Sequence, residues 1–161
     1  MIRPARSDDA QAVADVWNPW IRNTAVTFNS IEKTAADITA MMAARAAGGH
    51  GFFVAADQSL LGFASYTQFR GGIGYAHAME HTVVLAPEAR GRGIGRALMS
   101  RVEAHARAAG AHVMIAGVSG ENAEGRAFHL ALGYREIATL CEVGYKFGRR
   151  MDIVLMQKFL S

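Results

Sequence analysis

Two periods of apolar and polar residues run along the chain, separated by clusters of glycine. Ile2 to Ala5 fits a short strand, and Ser7 reads as a helix N-cap with Asp8 and Asp9 in the first turn. The helix after it runs toward Trp17, where Pro19 is expected to end or kink it. Thr34 to Ala46 reads as a second helix, stopped at Gly48-Gly49. Gly51 to Ala56 and Leu60 to Phe69 read as two strands around a turn at Asp57-Gln58-Ser59. Arg70 to Gly74 is a link, and Ala76 to Leu85 is a strand closed by Pro87. Beyond Gly91–Gly95 a helix continues through Ala109, with Ile94, Leu98, Val102 and Ala106 as its apolar stripe and Gly110 as its stop. Ala111 to Val118 reads as a buried strand, and Asn122 to Leu132 as a short helix before Gly133. Ile137 to Tyr145 and Met151 to Phe159 complete the series as strands. Helices dividing several strands argue an α/β or α+β sheet covered by helices.

The 161 residues suffice for one domain, 1–161, with 51% apolar residues to bury and 19% charged. The net charge of +3 is a mild bias toward anionic partners, and no aromatic-interleaved basic surface points to nucleic acid. No apolar run approaches the roughly 18 residues of a membrane span, and no leader pattern stands at the N-terminus. Cys141 is the one cysteine, so no intrachain disulfide is possible and a reducing cytoplasm is the expected compartment. Its apolar neighbours make it a structural thiol, and Phe52, Phe53, Phe63 and Phe69 are expected in the core. The histidines at 50, 77, 105 and 112 show no metal-ligand spacing, so no metal is expected.

The most informative segment is Val83-Val84-Leu85-Ala86-Pro87-Glu88-Ala89-Arg90-Gly91-Arg92-Gly93-Ile94-Gly95-Arg96. A strand enters a glycine-rich turn that opens a helix. Free N–H groups and the positive end of the helix dipole at such a junction suit phosphate, and three arginines add charge there. Neither the dinucleotide fingerprint nor the nucleoside-triphosphatase loop fits: the third glycine is replaced by Arg96, and no Gly-Lys-Ser/Thr occurs.

Arg90-Gly91-Arg92-Gly93-Ile94-Gly95 resembles the (Arg/Gln)-x-x-Gly-x-(Gly/Ala) loop of the GNAT N-acetyltransferases. Further stretches resemble their phosphinothricin and methionine-sulfoximine acetyltransferase subfamily: Met79-Glu80-His81, Gly120-Glu121-Asn122, Phe128 to Tyr134, and Val143 to Arg149. The resemblance covers nearly the whole chain. It implies a mixed, mostly antiparallel twisted sheet flanked by helices, acetyl-CoA as co-substrate and a homodimer. It also implies an N-acetyltransferase acting by direct attack on small amino acid analogues, and hence resistance to such inhibitors. The loop Arg90, Gly91, Arg92, Gly93, Ile94, Gly95 and Arg96 would cradle the diphosphate. Backbone groups of Val83, Val84 and Leu85 would pair with the pantetheine arm, and Asn122 would bind that arm, cap a helix, or both.

An amine must be neutral to attack a thioester, so a positioned base helps. Glu80 is the candidate, being on the strand that feeds the loop and ten residues before Arg90. His129 stands where many members of the superfamily carry the Tyr that protonates the departing sulfur, so it is a candidate acid or a helix histidine satisfied by its neighbours. Tyr134, after Gly133, is expected to face the core. The resemblance implies an acceptor site drawn from Thr27, Phe28, Arg70, Gly71, Gly72, Met79, Glu80, His81, Lys146, Phe147 and Arg149. Arg70 has the planar fork that grips a carboxylate or phosphinate at two points. Relatives carry Trp after the position of Arg149, and Arg150 stands there instead. Two other readings remain open: acetylation of a protein N-terminus, and a non-catalytic acetyl-CoA-binding module.

Overall fold

The computed structural model describes residues 1–161. In chain order it contains β1 (Ile2–Pro4), α1 (Ala10–Asn23), α2 (Ala35–Ala47), β2 (Phe52–Ala56), β3 (Leu60–Gln68) and β4 (Ala78–Leu85). Then come α3 (Ile94–Ala108), β5 (Val113–Ser119), α4 (Ala123–Ala131), β6 (Arg135–Lys146) and β7 (Arg149–Phe159). One seven-stranded sheet runs in the order β1-β2-β3-β4-β5-β7-β6. Every neighbouring pair is antiparallel except β4 and β5, which the helix α3 connects as a parallel pair. The mixed, mostly antiparallel sheet expected from the sequence is therefore present.

Strand alternation sends side chains to two layers. On one face Leu98, Val102 and Ala106 of α3 pack with Met114, Ala116 and Val118 of β5 and Met156 of β7. On the other, Val13 and Ala14 of α1 and Ile38 of α2 pack with Phe52, Val54 and Phe63. The apolar stripe read on α3 is fully buried apart from Ile94, which is partly so.

Four local expectations are corrected. Ser7 lies inside a short 3-10 turn, Ser7–Asp9, and the capping carboxylate is Asp9, which accepts from the Arg6 amide at 2.7 Å and binds Arg3 at 2.8 Å. Pro19 does not end the helix. α1 continues to Asn23 because proline leaves only the Asp15 carbonyl without a donor, and both residues are exposed to water. Cys141 is exposed rather than buried, since the β6 pairing is irregular between Leu140 and Gly144. Phe69, at the end of β3, is only half-buried.

The pairing of β4 with β5 is short and opens the sheet. The two strands pair only at Ala78↔Val113, Met79↔Met114 and Glu80↔Ile115. Beyond Glu80 they part. β4 stays paired with β3 as far as Leu85↔Gly62, and β5 stays paired with β7 as far as Ser119↔Ile153. The splay exposes one edge of each strand to a common cleft.

Candidate active site

The cleft between the parted strands has a volume of about 900 Å³. Its walls are β4 from His81 to Leu85, β5 from Ala116 to Val118, the turn before α3, the start of α4, and Trp17, Trp20, Val26 and Thr27 from α1 and the loop after it. Its outer end is a set of unused donors. The amides of Gly91, Gly93, Ile94, Gly95 and Arg96 find no protein acceptor, and Ala97, bonded to the Gly93 carbonyl, is the first of the helix that does. Gly91 and Gly93 both have φ of +73°, with open space where a Cβ would stand. The left-handed backbone there turns the amides outward, a conformation that costs other residues about 1–2 kcal/mol. Gly95 is glycine for another reason: a Cβ would lie 3.0 Å from the Phe128 ring, so α3 and α4 approach through it. The whole array is a cradle of donors that can take an anion at a helix N-terminus.

The arginines around the cradle are held by neighbours. Arg90 pairs with Glu124 of α4, and Arg92 reaches Asp57 at 3.3 Å. Arg96 approaches the Ala131 carbonyl at 3.4 Å. The Arg90 and Glu124 side chains are more than three-quarters exposed, so that pair contributes little and yields readily to a stronger anion. Asn122 caps α4, its Oδ1 accepting from the Gly125 amide at 2.9 Å, and it also lines the cleft. The Trp20 indole donates to the Leu85 carbonyl at 2.9 Å and fixes α1 against the end of β4.

Glu80 sits at the vertex of the splay. It is half-buried, its carboxylate makes no hydrogen bond to the protein, and its Oε2 leans over Gly117 of β5. Burial alone pushes its carboxyl above the usual carboxylate range.

The next residue, His81, points through the sheet to the opposite layer. Its Nε2 lies 2.9 Å from Nε2 of His129, whose Nδ1 lies 2.7 Å from the Gly125 carbonyl. A carbonyl only accepts, so His129 carries its proton on Nδ1. Its Nε2 is then the acceptor and His81 the donor. The remaining nitrogen, His81 Nδ1, is buried without a partner. Tyr134 packs edge-on against both rings, 2% exposed, and donates to Glu103 at 3.0 Å. Burial, with His129 alongside, pushes His81 down to about 3, and burial also lowers His129. Both rings are neutral at pH 7. The unfolded chain binds protons near pH 6.5 that the folded one refuses, so the pair's contribution to stability is complete above that pH and declines below it. Urea midpoints are expected to fall between pH 7 and pH 5, and to fall less in His81→Gln. Parallel curves for the two proteins would refute the assignment.

The acceptor-site candidates separate into groups. Thr27 lines the cleft. Phe28 packs over Gly144, where a Cβ would lie 2.5 Å from its ring. Lys146 is buried, and its ammonium donates to the carbonyls of Thr24 (2.7 Å) and Thr27 (2.8 Å), pinning the loop after α1. Phe147 and Gly148 form the two-residue turn of the β6–β7 hairpin, both at positive φ, with Phe147 exposed. Arg149 binds Glu121 at 2.6 Å on the cleft rim. Arg70, Gly71 and Gly72 lie on an exposed loop, Arg70 stacked 5.8 Å from the Tyr75 ring. Met79, like His81, faces the layer opposite to Glu80 and is part of the core. Sequence reasoning missed Trp17, Trp20 and Gly117. The tryptophans read as ordinary amphipathic-helix residues, and a glycine inside an apolar strand was the one signal for the third.

A parallel strand pair parts beside a row of unused amides at a helix N-terminus, with an unpartnered carboxylate at the vertex, an arrangement that can hold a long anionic ligand next to a proton acceptor. The acetyltransferase (GNAT) family model matches residues 15–134, and the chain belongs to that family. It is an acetyl-CoA-dependent N-acetyltransferase. It is 36% identical over 157 residues to the L-amino acid N-acyltransferase MnaT of Escherichia coli, covering 97% of this chain and 91% of that protein. It is 34% identical to the L-methionine sulfoximine/L-methionine sulfone acetyltransferase of Salmonella typhimurium, covering 97% and 92%. Among solved structures, a ribosomal-protein-alanine N-acetyltransferase from Brucella melitensis superposes with a TM-score of 0.95 at 36% identity, covering 99% of both chains. The putative acetyltransferase yncA of Salmonella typhimurium, with its cofactor acetyl-CoA, gives 0.95 at 33% identity, covering 100% of this chain and 94% of that one.

Proposed function

We propose that the protein acetylates the amino group of a small amino acid or amino acid analogue, of the methionine sulfoximine and phosphinothricin type. The observation that carries this is the position of Glu80: a half-buried carboxylate with no protein partner, at the point where β4 and β5 separate. The amides between Gly91 and Arg96 hold the diphosphate of acetyl-CoA, and the free edge of β4 from Thr82 to Leu85 pairs with its pantetheine arm. Glu80, directly or through one water, takes a proton from the ammonium of the acceptor. The neutral nitrogen attacks the thioester carbon, the C–S bond breaks, the sulfur leaves as thiolate, and the second proton of the attacking nitrogen passes through solvent to that thiolate. Before His129 can protonate that sulfur, its Nε2 must give up the bond to His81 and gain a proton, so Glu80 is the principal titrating group and His129 the secondary one.

The names of the curated relatives support a free amino acid over a protein N-terminus, and so does the short exposed loop at Arg70–Gly74, which leaves little chain to build a peptide groove. Thiol release from acetyl-CoA is expected with L-methionine sulfoximine or L-phosphinothricin. No release with either or with a panel of amino acids, together with acetylation of a ribosomal-protein N-terminal peptide, would move the acceptor to protein.

A homodimer completes the acceptor side in this reading. β6 is an edge strand and presents Ile137, Leu140, Val143 and Tyr145 to solvent, with Phe147 exposed in the turn that follows. A row of exposed apolar side chains on an unpaired edge calls for a cover. A second copy docked there would carry Phe147 and Arg149 toward a neighbouring cleft. Light scattering should give twice the 17.3 kDa chain mass, and a monomer at micromolar concentration would refute it.

A further inference from the structure

Gly117 lies two residues past the last β4–β5 pair, on the parted edge of β5, and is exposed to the cleft. Its φ is not in the left-handed region that favours glycine, so the backbone would accept any residue. Glycine inside a strand is otherwise unfavourable, and where conformation does not demand it, close approach by another group is the usual reason. Here two groups approach. A Cβ on Gly117 would stand 3.2 Å from Glu80 Oε2 and 2.9 Å from Ile153 Cδ1 of β7. The carboxylate, whose backbone pairs with Ile115, therefore extends along β5 toward the open end of the cleft and rests in the notch that the missing side chain leaves.

We propose that Gly117 is a positioning residue for the transfer: its bare Cα sets where the Glu80 carboxylate lies and keeps that carboxylate partly shielded from water. The proposal rests on Glu80 being the base. Any side chain at 117 drives Oε2 off the strand toward the open cleft, away from the acceptor nitrogen and into solvent. A base a few tenths of an ångström to one ångström out of place transfers a proton less often, at a cost of about tenfold and up to about a hundredfold in rate. The donor's diphosphate, held at the other end of the cleft, is unaffected.

The test is steady-state thiol release by the full-length protein carrying Gly117→Ala, Ile153→Val, both together, and Glu80→Gln with and without Gly117→Ala. Expected for Gly117→Ala is a kcat about tenfold lower, acetyl-CoA affinity within about threefold, and the acidic limb of the kcat/KM profile at lower pH, because a more hydrated carboxyl is a stronger acid. Ile153→Val removes the Cδ1 methyl and relieves the other clash, so the double variant stays slow. In the Glu80→Gln background Gly117→Ala adds no further loss, since two changes acting through one group are not additive. Full recovery in the Ile153→Val double variant, or an unshifted acidic limb, would assign Gly117 to packing and overturn the proposal. If Glu80→Gln itself kept wild-type kcat, the reading of Glu80 as base would fail first, and that result is distinct.

Discussion

Glu80→Gln lowers kcat by about 10²–10⁴-fold, while acetyl-CoA binds as tightly as before. The amide keeps the size and shape of the side chain but cannot take a proton. In the proposed reaction the wild-type carboxyl is the base: it is half-buried, unpaired, and raised above the ordinary carboxylate range by burial alone. The acidic limb of the wild-type kcat/KM profile is therefore expected above pH 4.5, and it disappears in the variant. The substitution also removes a desolvated charge, so the thermal midpoint rises slightly, the usual exchange of stability for function at a built site. Steady-state thiol release, calorimetric titration with acetyl-CoA and a thermal melt on one preparation check all three. Unchanged kcat would remove Glu80 from the chemistry.

Gly93→Val weakens acetyl-CoA binding about 10²-fold or more, at the opposite end of the cleft. Gly93 caps α3 at φ +73°, ψ +5°, a conformation a β-branched residue reaches only with strain. If the backbone relaxes, the amides of Gly93, Ile94 and Gly95 turn away from their common focus; if it does not, two methyl groups enter the space above them. Each lost charge-assisted bond to a phosphate oxygen is worth about 1.5–3 kcal/mol. A loss of two predicts Kd about 10²-fold weaker or more, and calorimetry with coenzyme A is the measurement. The fold itself survives, because nothing lies within 4 Å of the Gly93 Cβ position and the α3 stripe stays buried. Retained affinity would mean that the diphosphate is held elsewhere.

Much of this architecture is legible in the chain alone. The α3 stripe, the glycine stops at 48–49, 110 and 133, and the strand–turn–helix junction at 83–96 come from period, capping and glycine chemistry, which are local in the chain. The turn around Phe147-Gly148 was not legible as a hairpin, since phenylalanine is not the residue that a positive φ predicts. Pro19 misled because proline is read as a stop, whereas an exposed carbonyl four residues earlier can be hydrated instead. Strand position marked Glu80 and the family resemblance marked His129 for chemistry, but neither could say that His81, one residue from Glu80, faces the other layer.

What the sequence determined by itself, then, is the set of elements and the glycine turn that opens α3, because both depend on residues near one another in the chain. The tertiary structure alone decided where β4 and β5 part, that Glu80 rests over Gly117, that His81 donates to His129, and that Lys146 ties down the loop after α1. Each of these joins residues between 35 and 122 positions apart, and only the closing of the sheet brings such residues within reach.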